Sequence, residues 1–586
     1  MAVKTVIKTI AKHSFPPVAK LLQKPLVVNA NYGGRATIWE LLQGLFTPSR
    51  ESMTTAIHVS LLLLVIFAVC SHVTDFTSAR NFLLRRMGVR LLVKDPFYFE
   101  EATISDIQVA FKNGSLNSSQ LVKHYLDQIR ALNPILNAVL EINPDAIDDA
   151  AKADLQRNVG GNLSTNNLYF PLPLFCCTAW LLVHLFELHG IPILIKDNIS
   201  TRGKLNTTSG SFALLGSVVS RDAGVIQRLR RAGAIILGKA SMSEWDNFRS
   251  LEPKNGWCPR GGQGRNPYPS TDEPCGSSSG SAIAVAANLV TVSLGTDLDN
   301  AITCPAILNS VVGIKPTVGL TSRSGMVPIS PRLQTIGPMA RTMADTVTLL
   351  DVIVGFHPLD ANATNAATRF IPIGGFHKSL KEDGLKGKRL GILRRQFSNE
   401  YQDESVEAKT FASHFQTIRL KGAILVDNIE MKNVEIMQNM NASGEVTLLL
   451  AEFKLSLNAY LKDLESSPER MKEYGQIIFL ASQQTSGIGD AEKIAIKRMA
   501  QLSKEGMEDL IQEKSLDAVV FPGFSLSHAM AIGGFPIISV PAGYNNSSAP
   551  FGISFAGLRG SDATLIEIAY AFEQATKVRK LPSPLI

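Results

Sequence analysis

Cysteine is scarce in this 586-residue chain: the six cysteines lie at irregular spacing, which excludes a disulfide framework and a cysteine-based zinc site. The net charge is only +7, and because lysine and arginine are scattered, a nucleic-acid partner has little support. No internal repeat of fixed period is present. What the chain does have is a hydrophobic fraction of 45%, enough to bury a large core. Its length by itself would allow about three or four domains.

A run of small and hydroxyl-bearing residues lies near the middle of the chain. Residues 276–281 are all glycine or serine, and residues 282–287 are mostly alanine. This pattern predicts a tightly packed helix entered through a turn that presents backbone N–H groups and hydroxyl oxygens. Residues 289–294 follow with β-branched alternation and predict a strand. Taken alone, such a turn is more often a linker or a helix cap than a catalytic loop.

An apolar segment upstream, residues 190–195, predicts a strand that delivers Lys196 at its C-terminal end. A lysine at the end of a strand is usually a solvated charge, so this feature also indicates little by itself. In combination and in this order, however, the segments of the chain resemble the amidase signature family, and most closely its plant branch. The matching segments are 190–198, 238–245, 260–264, 274–287, 295–305 and 312–317.

The resemblance extends from about Phe97 to the C-terminus, and it implies one large domain over residues 97–586. The implied fold class is α/β, a layered α/β/α domain around a large mixed twisted sheet. The pattern of the chain agrees, because apolar segments of strand length alternate with amphipathic helical segments. Buried strands are expected at 234–237, 312–314, 389–393, 423–426 and 518–521.

The resemblance also implies a Ser-Ser-Lys hydrolase that needs no metal and no organic cofactor. By position, Lys196 matches the general base, and Ser277 matches the serine that follows a cis peptide bond and relays the proton. A lysine can act as a base only when its surroundings lower its pKa toward the working pH. Main-chain N–H groups of Leu298, Asp299, Asn300 and the next residue would hold the oxyanion.

The nucleophile position departs from the family, because the segment that normally ends in Gly-Ser ends here in Asn300-Ala301. Alanine has no lone pair with which to attack. Removing the nucleophile of a comparable triad costs about a millionfold in turnover, or roughly 8 kcal/mol. Asn300 replaces a glycine but tolerates a left-handed backbone better than most residues, so the loop can keep its shape. Ser277 and Thr303 carry the nearest alternative hydroxyls, and neither is favoured as a substitute nucleophile.

Two cysteines flank these segments. Cys275 precedes Ser277 by two residues, and Cys304 follows Ala301 by three. We interpret both as small buried thiols rather than catalytic groups.

The N-terminal extension, residues 1–96, differs from the rest of the chain. Its apolar segment 56–70 is typical of a signal peptide, although it begins more than fifty residues after Met1. A start at Met53 would place the segment correctly, so residues 1–52 are either a misassigned extension or a basic arm before a signal anchor. An organelle presequence is a further alternative. The segment predicts secretion or membrane anchoring, with possible membrane contact, while organellar and cytoplasmic locations stay open.

A hydrophobic insert at residues 158–188 interrupts the domain where plant relatives have a short polar loop. Pro171 and Pro173 break it, and what remains is short for a membrane-spanning helix. We favour translated non-coding sequence over a membrane cap. The chain also keeps only residues 465–470 where plant relatives have a longer helical stretch.

Three functions remain open at this point. The first is an amidase-family hydrolase of a small-molecule amide that is catalytically impaired by Ala301. The second is a non-catalytic protein that binds a ligand in the same pocket. The third is a defective or mispredicted gene product. The sequence predicts neither the substrate nor the oligomeric state.

Overall fold

The computed structural model describes residues 97–162, 187–268, 273–466 and 477–583. The extension 1–96 with its signal-like segment 56–70, and residues 163–186 of the hydrophobic insert, lie outside the described residues, so the predictions made for them stay predictions. Within the described ranges, no helix is long and apolar enough to cross a membrane.

Strands and helices alternate along the described chain. The strands are β1 Val139–Ile142, β2 Pro192–Lys196, β3 Val218–Val219, β4 Ile235–Ala240, β5 Trp257–Cys258, β6 Gly262–Gln263, β7 Val292–Asp297, β8 Val312–Lys315, β9 Thr335–Ala340, β10 Arg389–Ile392, β11 Ile424–Val426, β12 Leu464–Ser466, β13 Ala518–Pro522, β14 Ile537–Tyr544 and β15 Pro550–Ala556. The α-helices are α1 Ile104–Asn113, α2 Ser118–Leu136, α3 Ala146–Asn162, α4 Gly224–Arg231, α5 Ser279–Ala286, α6 Thr303–Leu308, α7 Met343–Ile353, α8 Ala361–Ala367, α9 Arg394–Glu400, α10 Val406–Leu420, α11 Val434–Met437, α12 Met440–Ser443, α13 Glu445–Lys462, α14 Ile477–Gln484, α15 Asp490–Ser503, α16 Asp509–Lys514, α17 Ser527–Ala531 and α18 Asp562–Thr576. Shorter helical turns are Phe212–Leu214, Glu244–Asn247, Pro358–Asp360, Thr368–Phe370, Phe376–Ser379 and Lys504–Glu508.

One 11-stranded mixed sheet forms the centre, in the order β1-β4-β2-β7-β9-β8-β14-β15-β13-β10-β11. Strand β2 is parallel to both β4 and β7, whereas β9 runs antiparallel to β7 and β8. Helices α4, α7 and α18 pack together on the sheet, and α5 and α6 pack together near β7 and β14. The predicted fold, an α/β/α arrangement around a large mixed sheet, is confirmed.

The two leading helices, α1 and α2, form where the local sequence favours them. Thr103 caps α1 and exchanges hydrogen bonds with Asp106 three residues later, which satisfies backbone donors at the helix start. The apolar residues Ile107 and Phe111 of α1 are buried, as is Tyr125 of α2. These residues recur at helical spacing, so one face of each helix packs into the core.

The small residues of α5 let this helix lie against the sheet. All eight residues of α5 are buried. A Cβ atom added at Gly280 would stand 2.4 Å from the carbonyl oxygen of Ala138 and from the amide nitrogen of Ser241. Only glycine fits there, so the sequence sets the depth at which α5 and the loop before it sit. The strand predicted at 289–294 begins later, at Val292, because the chain first turns out of α5.

Candidate active site

The site lies where three chain segments meet beside the central sheet. Lys196 is the last residue of β2, and Ser277 lies in the loop that leads into α5. Ala301 follows β7 and precedes α6. Since β2 and β7 are parallel neighbours, their C-terminal ends lie at the same edge of the sheet. The fold therefore brings the predicted base, relay serine and nucleophile position to one edge.

Lys196 is completely buried and fully hydrogen-bonded. Its Nζ atom donates to the Ser277 Oγ atom at 2.6 Å and to the Thr296 Oγ1 atom at 2.8 Å. The same Nζ atom lies 2.6 Å from the Asp246 Oδ1 atom. Burial lowers the pKa of the Lys196 ammonium group, while the Asp246 carboxylate acts in the opposite direction. A lysine in this position has the environment that a general base requires, but it also has an anionic partner.

Ser277 follows a cis peptide bond from Gly276. Its carbonyl oxygen accepts a hydrogen bond from the backbone N–H of Ser243 at 3.1 Å. Its hydroxyl group accepts a hydrogen bond from Lys196 and donates one to the Asp246 Oδ1 atom at 2.7 Å. Both hydrogen-bonding roles of this serine are thus taken by protein groups.

The segment that carries Ala301 is hydrogen-bonded to the loop before α5, which carries Ser277 and is called the serine loop below. The backbone N–H of Ser278 donates to the carbonyl oxygen of Ala301 at 3.1 Å. Asn300 has φ of 52°, the left-handed conformation that the sequence anticipated for a glycine replacement. The Asp297 carboxylate accepts the N–H of Ile302 at 2.6 Å, which closes the turn after β7. Hydrogen bonds therefore hold the loop on both sides of Ala301, whose side chain is only a methyl group.

The carboxylate of Asp299 belongs to a buried charge cluster that the sequence did not reveal. The His528 Nδ1 atom lies 2.5 Å from the Asp299 Oδ2 atom, and the His528 Nε2 atom lies 2.8 Å from the Glu445 Oε2 atom. Burial opposes a charge on the imidazole, but the two carboxylates outweigh it and raise the pKa of His528 to about 10. A histidine cation between two acidic groups therefore holds the segment 298–301 against helices α13 and α17.

Thr303, one of the two alternative hydroxyls, is engaged elsewhere. It is buried at the start of α6, and its Oγ1 atom lies 2.9 Å from the Ser527 Oγ atom. Leu298, the first residue of the predicted oxyanion segment, packs at the edge of an apolar cluster that includes Phe453 and Leu526. Neither side chain contributes a polar group to the lysine cluster, which consists of Lys196, Ser277, Thr296 and Asp246.

Asp246 is the site residue that sequence reasoning missed. It lies in a short turn in which Trp245, Asp246 and Asn247 all have positive φ, between 51° and 67°. Its Oδ2 atom accepts a hydrogen bond from the Asn198 Nδ2 atom at 2.8 Å. The available signal was an acidic residue directly after the matched segment 238–245, but only the fold shows that it reaches Lys196.

The interpretation of Cys275 and Cys304 as buried thiols was wrong, because the two residues form a disulfide with Cα atoms 5.9 Å apart. The loop before α5 crosses the start of α6, which places the two side chains together. The disulfide thus links the serine loop to the segment that carries Ala301. Cys258, also among the described residues, is buried and free. Within the same described ranges, no group of histidine, cysteine and acidic residues is arranged to hold a metal ion.

Comparison with known proteins agrees with this geometry. The sequence model of the family described as Amidase matches residues 184–530. A probable amidase of Arabidopsis thaliana is 51% identical over 84% of this chain and 93% of its own length. A putative amidase of Schizosaccharomyces pombe is 32% identical over 82% of this chain and 86% of its own length.

Solved structures show the same likeness. Native peptide amidase from Stenotrophomonas maltophilia aligns with a TM-score of 0.73 and 36% identity, over 83% of this chain and 99% of that protein. An amidase family protein from Bacillus anthracis aligns with a TM-score of 0.72 and 32% identity, over 83% and 93% of the two chains.

Proposed function

This chain belongs to the amidase signature family, and from that premise we propose that it is an amide hydrolase by descent whose catalysis is impaired at Ala301. The family acts on C–N bonds of amides. The observation that carries the proposal is the residue at the end of the loop after β7. There the Ser278 N–H donates to the carbonyl oxygen of Ala301, yet the side chain at position 301 is a methyl group.

The reaction that such a site performs begins with a hydroxyl group at position 301. That hydroxyl would give its proton to Ser277 as its oxygen attacks the amide carbonyl, and Ser277 would pass its own proton to Lys196. The tetrahedral oxyanion would be held by the N–H groups of residues 298–301. On collapse, the proton held by Lys196 would return through Ser277 to the departing nitrogen, the C–N bond would break to release ammonia or an amine, and water would hydrolyse the acyl-enzyme that remains. With alanine at 301, the first bond cannot form.

We propose that the ligand is a small-molecule carboxylic amide, because the neighbours are amidases. Peptide amidase is 36% identical to this chain, so peptide amides belong in the set of compounds to be tested. No cofactor enters this scheme, since every proton transfer is assigned to a side chain of the protein.

A second candidate is a non-catalytic binding protein that uses the same pocket. It is favoured by the contrast between the ordered Lys196–Ser277 pair, joined at 2.6 Å, and the absent nucleophile. Binding of an amide by an otherwise inactive protein, measured by calorimetry, would favour this candidate over an impaired enzyme.

A third candidate, a defective gene product, rests on segments that lie largely outside the described residues. Sequencing the transcript tests it directly. A mature message without the codons for residues 159–188 would support retained non-coding sequence and remove the case for a membrane cap.

Steady-state ammonia release from primary amides and amidated peptides tests the main proposal. We expect no turnover by the wild-type protein and measurable turnover by Ala301→Ser, alone or with Asn300→Gly. Wild-type turnover comparable to that of the double variant would overturn the proposal.

A further inference from the structure

The Asp246 carboxylate is surrounded by hydrogen-bond donors. Its Oδ1 atom lies 2.6 Å from the Lys196 Nζ atom and accepts a hydrogen bond from the Ser277 hydroxyl group at 2.7 Å. Its Oδ2 atom accepts from the Asn198 amide at 2.8 Å. The aspartate side chain is only 7% exposed, and Lys196 is fully buried. A buried ion pair with this many additional hydrogen bonds is costly to break.

The direction of these hydrogen bonds is opposite to the one that catalysis needs. A relay serine must accept a proton from the nucleophile and donate its own proton to a neutral lysine nitrogen. Here Lys196 donates to the Ser277 oxygen, and Ser277 donates its only hydroxyl proton to Asp246. The ammonium group therefore sits at the donor end of the chain of hydrogen bonds, and the carboxylate sits at the acceptor end.

The turn that carries Asp246 is firmly anchored. The Trp245 N–H donates to the Ser209 carbonyl at 2.9 Å, and the Asp246 N–H donates to the Ser243 carbonyl at 3.1 Å. The Trp245 ring is buried and lies edge-on to the Phe479 ring, with the ring centroids 5.1 Å apart. Movement of this turn away from Lys196 would break these contacts as well as the ion pair.

We propose that Asp246 is a second block on catalysis, because its carboxylate pairs with the Lys196 nitrogen and accepts the hydrogen bond that the Ser277 hydroxyl would otherwise donate to the lysine. A serine at position 301 would then restore the nucleophile, while proton transfer through Ser277 to Lys196 would stay slow. This inference rests on the proposed function, since it concerns the same amide-hydrolysing site. Asp246 acts through Lys196 and Ser277, and so it is a positioning residue.

Asp246 does not itself replace the missing nucleophile. Both of its oxygen atoms accept hydrogen bonds from protein donors, and one of those donors is a cation. Attack by the Oδ1 atom would require release of its contacts with Lys196 and Ser277, and attack by the Oδ2 atom would require release of the Asn198 hydrogen bond, in a site that is almost fully buried. The carboxylate of Asp297 also raises the pKa of Lys196, but only through its charge at longer range. Its Oδ2 atom accepts a hydrogen bond from the Ile302 N–H.

Four proteins test the inference: wild type, Ala301→Ser, Asp246→Asn and the double variant Ala301→Ser/Asp246→Asn. Asparagine keeps the size of the side chain and tolerates the left-handed φ of 55°, so it removes the charge with little backbone strain. The probe is phenylmethanesulfonyl fluoride. The serine oxygen forms a bond to sulfur, fluoride leaves, and the hydroxyl proton passes through Ser277 to Lys196, so the rate reports the proton path.

We expect labelling of the double variant, followed by intact-protein mass spectrometry, to be at least tenfold faster than that of Ala301→Ser. Asp246→Asn alone should stay unlabelled, since it has no hydroxyl at 301. The rise of the labelling rate with pH should also occur at lower pH in the double variant, because the carboxylate that favours the ammonium ion is gone. A merely structural role for Asp246 would not move that pH profile.

Two controls complete the design. Ala301→Ser/Asp360→Asn removes a carboxylate that pairs with Arg323 outside the lysine cluster, and its rate should match that of Ala301→Ser. Ala301→Ser/Asp246→Ala tests the charge without a new amide group beside Asn198, and it should also react faster than Ala301→Ser. Equal rates for Ala301→Ser and both Asp246 double variants would overturn the inference. Turnover of amides by the wild-type protein would instead overturn the proposed function.

Discussion

The serine loop before α5 and the segment after β7 lie side by side at the site, but they differ in what their side chains do. In the first, the Ser277 hydroxyl joins a buried network with Lys196 and Asp246, so its loss would leave polar groups without partners. In the second, the backbone of Ala301 is hydrogen-bonded, while its side chain has no polar atom to satisfy. A residue needed for chemistry alone can change without cost to the fold, whereas a residue that also completes a buried network cannot.

The largest expected effect is on stability, from loss of the lysine. Lys196→Met removes the cation and leaves the Asp246 carboxylate buried with two neutral donors, so unfolding free energy should fall by about 3–5 kcal/mol. Denaturant titration measures this change. Lys204→Met, which removes an exposed lysine paired with Asp145, is the matched control and should have a much smaller effect, because surface ion pairs contribute little to stability. Equal losses in the two variants would contradict the claim that the network around Ser277 is needed for the stability of the fold.

The next largest effect on stability is expected from loss of the His528 cation, which pairs with Asp299 in the segment after β7. Because the pKa of His528 is raised to about 10, its charge stabilises the fold fully below about pH 6.5, and this contribution is lost as pH rises toward 10. His528→Gln should therefore cost on the order of 3 kcal/mol at pH 6.5 and much less at pH 10. Thermal unfolding across this pH range measures the difference. His377→Gln, at an exposed position outside this charge cluster, is the control for loss of a histidine side chain.

The disulfide between the regions should contribute a similar amount. It closes a loop with a sequence separation of 29 residues, for which chain entropy predicts about 3.6 kcal/mol. Reduction should lower the unfolding midpoint of the wild-type protein. The variant Cys275→Ala/Cys304→Ala should have the lower midpoint already and should not respond to reductant. A response of that variant would show that the reductant acts elsewhere.

The smallest effect is expected at the nucleophile position itself. Ala301→Ser should change the unfolding free energy by less than about 1 kcal/mol, because the fold already accommodates residue 301 and no buried polar group depends on it. The same denaturant titration gives this value. A loss as large as that of Lys196→Met would show that position 301 is constrained by packing as well.

The elements near the site could largely be predicted from local pattern. The capped helix α1 and the strand that ends in Lys196 follow from residues close together in sequence, and the structure has both. The strand after α5 was predicted three residues too early, since the apolar residues 289–291 belong to the turn before Val292. Local pattern finds such elements because capping and alternation act within a few residues.

The parts that escaped prediction all depend on contacts distant in sequence. Asp246 meets Lys196 from a left-handed turn 50 residues away, and His528 meets Asp299 across 229 residues. The pairing of Cys275 with Cys304 depends on how one loop crosses the start of α6. No local periodicity encodes these contacts, because the tertiary fold alone sets the distances between the side chains.

The most direct test of the account is to locate the acyl group in acid-quenched reactions with a primary amide, by mass spectrometry of proteolytic peptides. We predict that the variant Ala301→Ser/Asp246→Asn carries the acyl group on residue 301 and that the wild-type protein stays unmodified. An acyl group on Ser277 or Thr303 of the wild-type protein would contradict the account, because it would show that another hydroxyl performs the attack.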